Sequence, residues 1–160
     1  FLDMDERIIE IAQAVDVVHS PVVDPKDFPE DVAVTLVEGA VSSDHDLHLA
    51  HVIRERSGLV VSLGDCAVTS NVPSMRNSYK DQVLLDRAYV ENATANQGHP
   101  DTGDRGVPAL QVKARPLHEI IDVDLFLPGC PPPADAIHFV ITEVLAGRTP
   151  DPSSLTRFGM

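Results

Sequence analysis

The sequence is poor in cysteine and in positive charge, and both shortages limit what it can do. It holds two cysteines, Cys66 and Cys130, and no C-x-x-C pair. That is too few for a disulfide-rich secreted scaffold. It leaves one disulfide, two inert buried thiols, or half of a four-ligand metal site. Lys and Arg number 12 against 25 Asp and Glu, a net charge of −13. This argues against non-specific DNA binding and against an anionic membrane surface, because both need basic patches. It fits a soluble cytoplasmic protein, a subunit with cationic partners, or simply a solvated acidic surface. No apolar run approaches the roughly 20 residues that span a bilayer. There is no Ser–His–Asp arrangement, no phosphate loop and no G-x-G-x-x-G, so no hydrolase or dinucleotide site is marked and no catalytic residue is assigned.

What is present is enough for one domain with its own core: 160 residues, 43% of them hydrophobic. Ile8, Ile11, Ala12 and Val15 follow the helical period and predict a helix over 3–14, with Asp3, Asp5 and Glu6 at its N-terminus. The chain thus opens at Phe1 inside a helical pattern. An α/β chain normally begins with a strand, so an N-terminal segment holding the first strand is expected to be missing. Val15–His19 reads as a short strand, and Pro21, Pro25 and Pro29 punctuate the loop after it. Val32–Val37 reads as a strand buried on both faces. A helix over 43–56 follows, capped by Ser43 and closed by Gly58. Leu59–Leu63 is the next strand, and 81–90 a short helix. Residues 91–116, polar and rich in Gly, Pro, Asn and Asp, read as one long loop. Asp122–Leu127 is a further strand. Ile137, Val140, Ile141, Val144 and Leu145 mark the last helix, with Pro133 in its first turn and Gly147 at its end. The tail after Pro150 reads as a partner contact or a loose end. Alternation of strands and helices predicts a doubly wound α/β sheet.

Both cysteines occupy equivalent places. Gly64-Asp65-Cys66 follows one predicted strand and Pro128-Gly129-Cys130 another, so each cysteine is expected in a glycine-flanked loop. In an open α/β sheet the loops beyond the strand C-termini form the ligand crevice, and Glu38-Gly39 ends a third strand on that edge. Thiolates hold iron through sulfur, and glycines let backbone N–H groups approach a cluster. Pro131-Pro132-Pro133 stiffens one of the loops. A buried cysteine that is only a small hydrophobe remains the competing reading.

Four segments occur in order: Phe1-Leu2-Asp3-Met4-Asp5-Glu6, Val37-Glu38-Gly39-Ala40-Val41, Gly64-Asp65-Cys66-Ala67 and Pro128-Gly129-Cys130-Pro131-Pro132. Together they resemble the small subunit of nickel–iron hydrogenases, in the short form found in bidirectional NAD-reducing enzymes. The cluster-bearing subunit of respiratory complex I is a more distant relative. The resemblance implies a single flavodoxin-like domain over 1–160, lacking its first strand, that holds one 4Fe–4S cluster near the nickel–iron site of a large subunit. Cys66 and Cys130 match the family's two later single cysteine ligands. The C-x-x-C pair would precede Phe1. Glu38 and Gly39 match the glutamate–glycine motif near the cluster, and Gly64 and Gly129 flank the ligands. The implied role is electron relay from the large subunit to cytoplasmic diaphorase subunits that carry flavin, further clusters and NAD. Some relatives carry a flavin (FMN) in this domain, and no sequence feature here decides that point. The alternatives are a cluster-bearing subunit of another hydrogenase or of a quinone reductase, or a metal-free binding module.

The remaining features have plainer readings beside their functional ones. Asp3, Asp5 and Glu6 would follow the expected C-x-x-C, so a carboxylate there is a candidate redox-dependent ligand, or only a helix-start charge. His45, His48 and His51 recur every third residue, as a metal site or as a solvated stripe. Asn92-Ala93-Thr94 is a chance sequon in a cytoplasmic protein. Arg76, Lys80 and Arg87 form a mild basic group, either a partner contact or ordinary surface.

Overall fold

A computed structural model describes residues 4–21, 25–95, 98–100 and 106–159. The elements run α1 (Arg7–Ala14), β1 (Val32–Glu38), β2 (Val41–Ser43), α2 (Asp44–Arg56), β3 (Ser57–Leu63), α3 (Gly64–Thr69), a 3-10 turn (Val72–Ser78) and α4 (Asp81–Asp86). After α4 comes one π-turn (Arg87–Glu91), then β4 (Leu110–Arg115), a 3-10 turn (Leu117–Glu119), β5 (Leu125–Leu127), α5 (Ala134–Leu145) and a last 3-10 turn (Pro152–Ser154).

Three strands pair in parallel in the order β1-β3-β5. The central β3 is the most deeply buried, with Val60, Val61 and Ser62 at 0% exposure. Successive strand residues face opposite ways, and the core divides accordingly. Val61 and Leu127 pack with Met4, with Ile11 of α1 and with Ile137 and Val140 of α5. Val60 packs with Ala50 and Ile53 of α2 and with Leu117 and Ile121. Helices therefore cover both faces of the sheet, as the doubly wound reading requires.

The helix termini are built by local chemistry. The Ser43 hydroxyl accepts from the Asp46 N–H while the Asp46 carboxylate accepts from the Ser43 N–H, a reciprocal cap. Gly147, at φ +71°, turns the chain out of α5. Gly58 does not close α2 as expected. It lies inside β3, and α2 ends where Ser57 becomes extended. Arg54 covers that end by donating to the Ser57 and Gly58 carbonyls at 2.7 and 3.4 Å.

Other expectations are corrected. Val15–His19 forms no strand: Val17 and Val18 are 56% and 44% exposed and no neighbouring strand pairs with them among the described residues. Branched side chains alone do not make a strand without a partner to bond. Residues 91–116 are not one loop, since β4 pairs antiparallel with β2. Residues 96, 97 and 101–105 of that stretch fall outside the described residues. The β2–β4 pair is braced from outside. Asn77 donates to the Ala114 carbonyl and accepts from its N–H, both at 2.8 Å, as a neighbouring strand would. Arg76 donates to the Ser42 and Gln111 carbonyls at 2.9 and 2.8 Å. Arg76 is thus a structural brace rather than ordinary surface.

β5 is shorter than the predicted Asp122–Leu127, and the Asp124 side chain explains how so short a strand holds. The Asp124 N–H donates to the Val60 carbonyl at 3.0 Å, and its carboxylate accepts from the Val60 N–H at 2.7 Å. Arg54 also donates to that carboxylate at 2.7 Å. Burial alone would raise the Asp124 pKa. The Arg54 hydrogen bond, the Val60 N–H and the Arg54 charge outweigh burial, and the pKa falls below 3.8. A depressed carboxylate contributes stability above its ordinary pKa and loses it as pH falls through the folded value. Acid unfolding of Asp124→Asn should therefore begin with a smaller loss of stability below pH 3.8 than in the parent. Asp124→Ala, which strands the buried Val60 N–H, should cost about 1–3 kcal/mol in urea unfolding. An unchanged midpoint would contradict this role.

Candidate functional site

The register of the parallel sheet brings three strand ends into line. Glu38 pairs with Leu63, and Leu63 with Leu127. The residues that follow, Gly39, Gly64 and Pro128, therefore leave the sheet along one edge, as expected for a ligand crevice. Glu38 is exposed there.

The two cysteine segments touch. The Asp65 N–H donates to the Gly129 carbonyl at 2.8 Å, and the Gly129 N–H donates back to Asp65 Oδ1 at 2.6 Å. Each bonded residue is the immediate neighbour of a cysteine. Neither thiol is in a disulfide; Cys66 is half-buried and Cys130 exposed. The open disulfide alternative is thereby resolved in favour of two free thiols. Cys66 does not sit in a loop: it lies in α3, a short helix that starts directly from β3. Cys130 lies in an irregular segment and is joined to Pro131 by a cis peptide bond.

Glycine is required most strictly at position 129. Its φ is +135°, and a Cβ there would lie 2.5 Å from the Pro132 Cα and 2.8 Å from the Pro132 nitrogen. Gly39, at φ +92°, has nothing within 4 Å of where a Cβ would stand, so the space over the first strand end is open.

The tail after Pro150 is no loose end. Thr156 is buried, and its hydroxyl donates to the Pro128 carbonyl at 2.5 Å. The Gly159 N–H donates to Asp65 Oδ2 at 2.9 Å. The tail thus bonds to both cysteine segments. Ser70, which ends α3, has a buried hydroxyl with no hydrogen-bond partner among the described residues.

Sequence reasoning missed the burial of Asp65. It is 1% exposed, although an acidic residue beside a glycine reads as surface turn. Other candidates stand apart. His45, His48 and His51 are all exposed along α2, away from its buried Ala50 and Ile53. Asp3 lies outside the described residues, while Asp5 and Glu6 precede α1 at the surface. Among the described residues no three His, Cys, Asp or Glu side chains form a metal-holding group. A 4Fe–4S cluster takes four thiolates. Two free thiols on segments in backbone contact, beside open space, fit two of those positions, and the 160 residues contain no third cysteine.

The family described as NADH ubiquinone oxidoreductase, 20 kDa subunit, matches residues 1–144. The chain belongs to this family. Within it, the chain is 40% identical to the delta subunit of the NAD-reducing hydrogenase HoxS of Cupriavidus necator, an alignment covering 99% of this chain and 77% of that subunit. It is 36% identical to a subunit of the F420-non-reducing hydrogenase vhu of Methanocaldococcus jannaschii, over 93% of this chain and 51% of that one. The chain therefore spans about half the length of the Methanocaldococcus relative. A chain in the crystal structure of an H2-reduced NAD+-reducing [NiFe]-hydrogenase superposes with a TM-score of 0.88 at 31% identity, covering 98% of this chain and 88% of that one. The motif likeness to hydrogenase small subunits and the flavodoxin-like α/β fold both hold for this 20 kDa-subunit relative.

The two glycines allow a direct comparison. Gly129→Ala meets backbone atoms as well as φ strain, whereas Gly39→Ala meets φ strain alone. Thermal unfolding should show Gly129→Ala losing well over the roughly 1–2 kcal/mol of a left-handed residue, and Gly39→Ala no more than that. The reverse order would show that the Cys130 turn is not packed as described.

Proposed function

We propose that this chain is the small, cluster-bearing subunit of a NAD-reducing nickel–iron hydrogenase. In this reading Cys66 and Cys130 are two of four thiolate ligands of one 4Fe–4S cluster. The observation that carries it is the contact between the two segments that hold the free thiols, one beyond β3 and one beyond β5, joined by the Asp65–Gly129 pair. The 40% identity to HoxS delta supports assigning that meeting place to a hydrogenase rather than to a quinone reductase.

The chain's own residues have definite tasks. Cys66 and Cys130 hold iron as thiolates, and the remaining ligands come from beyond these 160 residues. Gly64 and Gly129 take backbone conformations that side-chain-bearing residues rarely adopt, which lets the chain turn tightly beside each cysteine. Glu38 and Gly39 border the site from the end of β1. When bound, the cluster supplies a one-electron relay between the nickel–iron site of a large subunit and flavin-bearing diaphorase subunits. No dinucleotide fingerprint lies in this chain, so NAD is assigned to a partner.

The surface suits a subunit. Val72, Met75, Tyr79 and Val83 stand exposed along the segment leaving the Cys66 helix. Large apolar side chains gathered in this way mark a protein contact. Among the described residues no helix is long and apolar enough to cross a membrane.

The test is iron and acid-labile sulfide content in the natively purified complex, with and without Cys66→Ser and Cys130→Ser combined. Loss of about four of each per complex is expected. Equal content in parent and variant would leave the cysteines with no part in holding iron and the chain as a metal-free module.

A further inference from the structure

Asp65 is a buried carboxylate that the cluster reading above leaves without a part, and every one of its polar atoms is engaged. Its N–H donates to the Gly129 carbonyl at 2.8 Å. Its carbonyl accepts from the Thr69 hydroxyl at 2.9 Å. Oδ1 accepts from the Gly129 N–H at 2.6 Å and Oδ2 from the Gly159 N–H at 2.9 Å. Among the described residues no Lys, Arg or His forms an ion pair with it. Burying a carboxylate against neutral donors is costly, and a turn between β3 and α3 does not need one. An asparagine could accept from only one of the two N–H groups, because its amide nitrogen would face the other. Carboxylate chemistry is therefore matched to this position.

We propose that Asp65 is a positioning residue for the metal site. Its carboxylate locks the Cys66 and Cys130 segments to one another and to the tail, and sets a negative charge one residue from Cys66 and, through Gly129, one residue from Cys130. This inference rests on the cluster reading above. It assigns two consequences to one side chain. The reciprocal bond with Gly129 sets the spacing of the two cysteine segments, since it acts on the residue adjoining each cysteine. The charge, held in no ion pair among the described residues, disfavours adding an electron nearby and so lowers the reduction potential of the group held there. Thr156 supplies the neutral half of the clasp, bonding Pro128 without adding charge.

The natively purified complex is compared with its Asp65→Asn, Asp65→Glu and Thr156→Val variants by redox titration of the reduced-cluster EPR signal. The signal belonging to this subunit is the one abolished by Cys66→Ser with Cys130→Ser. If that signal survives the cysteine changes, the ligand reading fails whatever Asp65 does. Asp65→Asn should keep its iron while its midpoint potential moves to more positive values. Asp65→Glu, with charge kept and oxygens displaced, should hold the potential near that of the parent but change the line shape. Thr156→Val, which removes a neutral bond to the Cys130 segment, should shift the potential less than Asp65→Asn does. A parent-like potential and line shape in Asp65→Asn would overturn the proposal. Should Asp65→Asn fail to assemble, a parent-like line shape in Asp65→Glu would overturn it equally.

Discussion

Parallel pairing is the constraint on which the rest of this structure depends. When strands run the same way, their C-terminal ends emerge on one edge, however far apart they lie in sequence. Here the register sets Glu38, Leu63 and Leu127 level, so the segments carrying the two cysteines leave the sheet side by side. One face is buried by α2, the crossing from β1 to β3, and the other by α1 and α5, which precede and follow the described strands. The core and the site are thus consequences of one arrangement. Shifting β5 by one residue would turn Leu127 out of the core and carry the Cys130 segment away from Asp65.

A second layer of interactions stiffens that arrangement where hydrogen-bond ladders run out. Asp124 lengthens a three-residue strand by bonding Val60 through both backbone and side chain. Asn77 plays the part of a missing neighbour to β4. Asp65 joins the two cysteine segments where no strand can pair. In each case a short polar side chain reproduces a backbone partner, which satisfies buried amides that would otherwise be left unpaired.

The elements with a local signal were legible in the sequence. Val32–Val37 and Leu59–Leu63 are continuous apolar runs, α2 carries its own cap at Ser43, and α5 has an unbroken apolar period closed by Gly147. Alignment of the strand ends followed from these, because parallel topology leaves little choice. What was not legible depends on distant partners. The three residues of β2 are too few to show a period, and β4 is held by Asn77 and Arg76 rather than by its own pattern. The helix holding Cys66 is only six residues long and shows no apolar face in sequence. Val15–His19 has strand-like residues but no partner strand. The burial of Asp65 arises from Gly129 and from a tail almost a hundred positions away, and nothing in its immediate neighbours announces it.

The central claim is that Cys66 and Cys130 bind the same iron–sulfur group. The most direct test is an anomalous-scattering map at the iron edge from crystals of the native complex, prepared without oxygen. The account expects one compact iron peak lying within bonding distance of both Sγ atoms. Iron bound to neither sulfur, or to one alone, would contradict it.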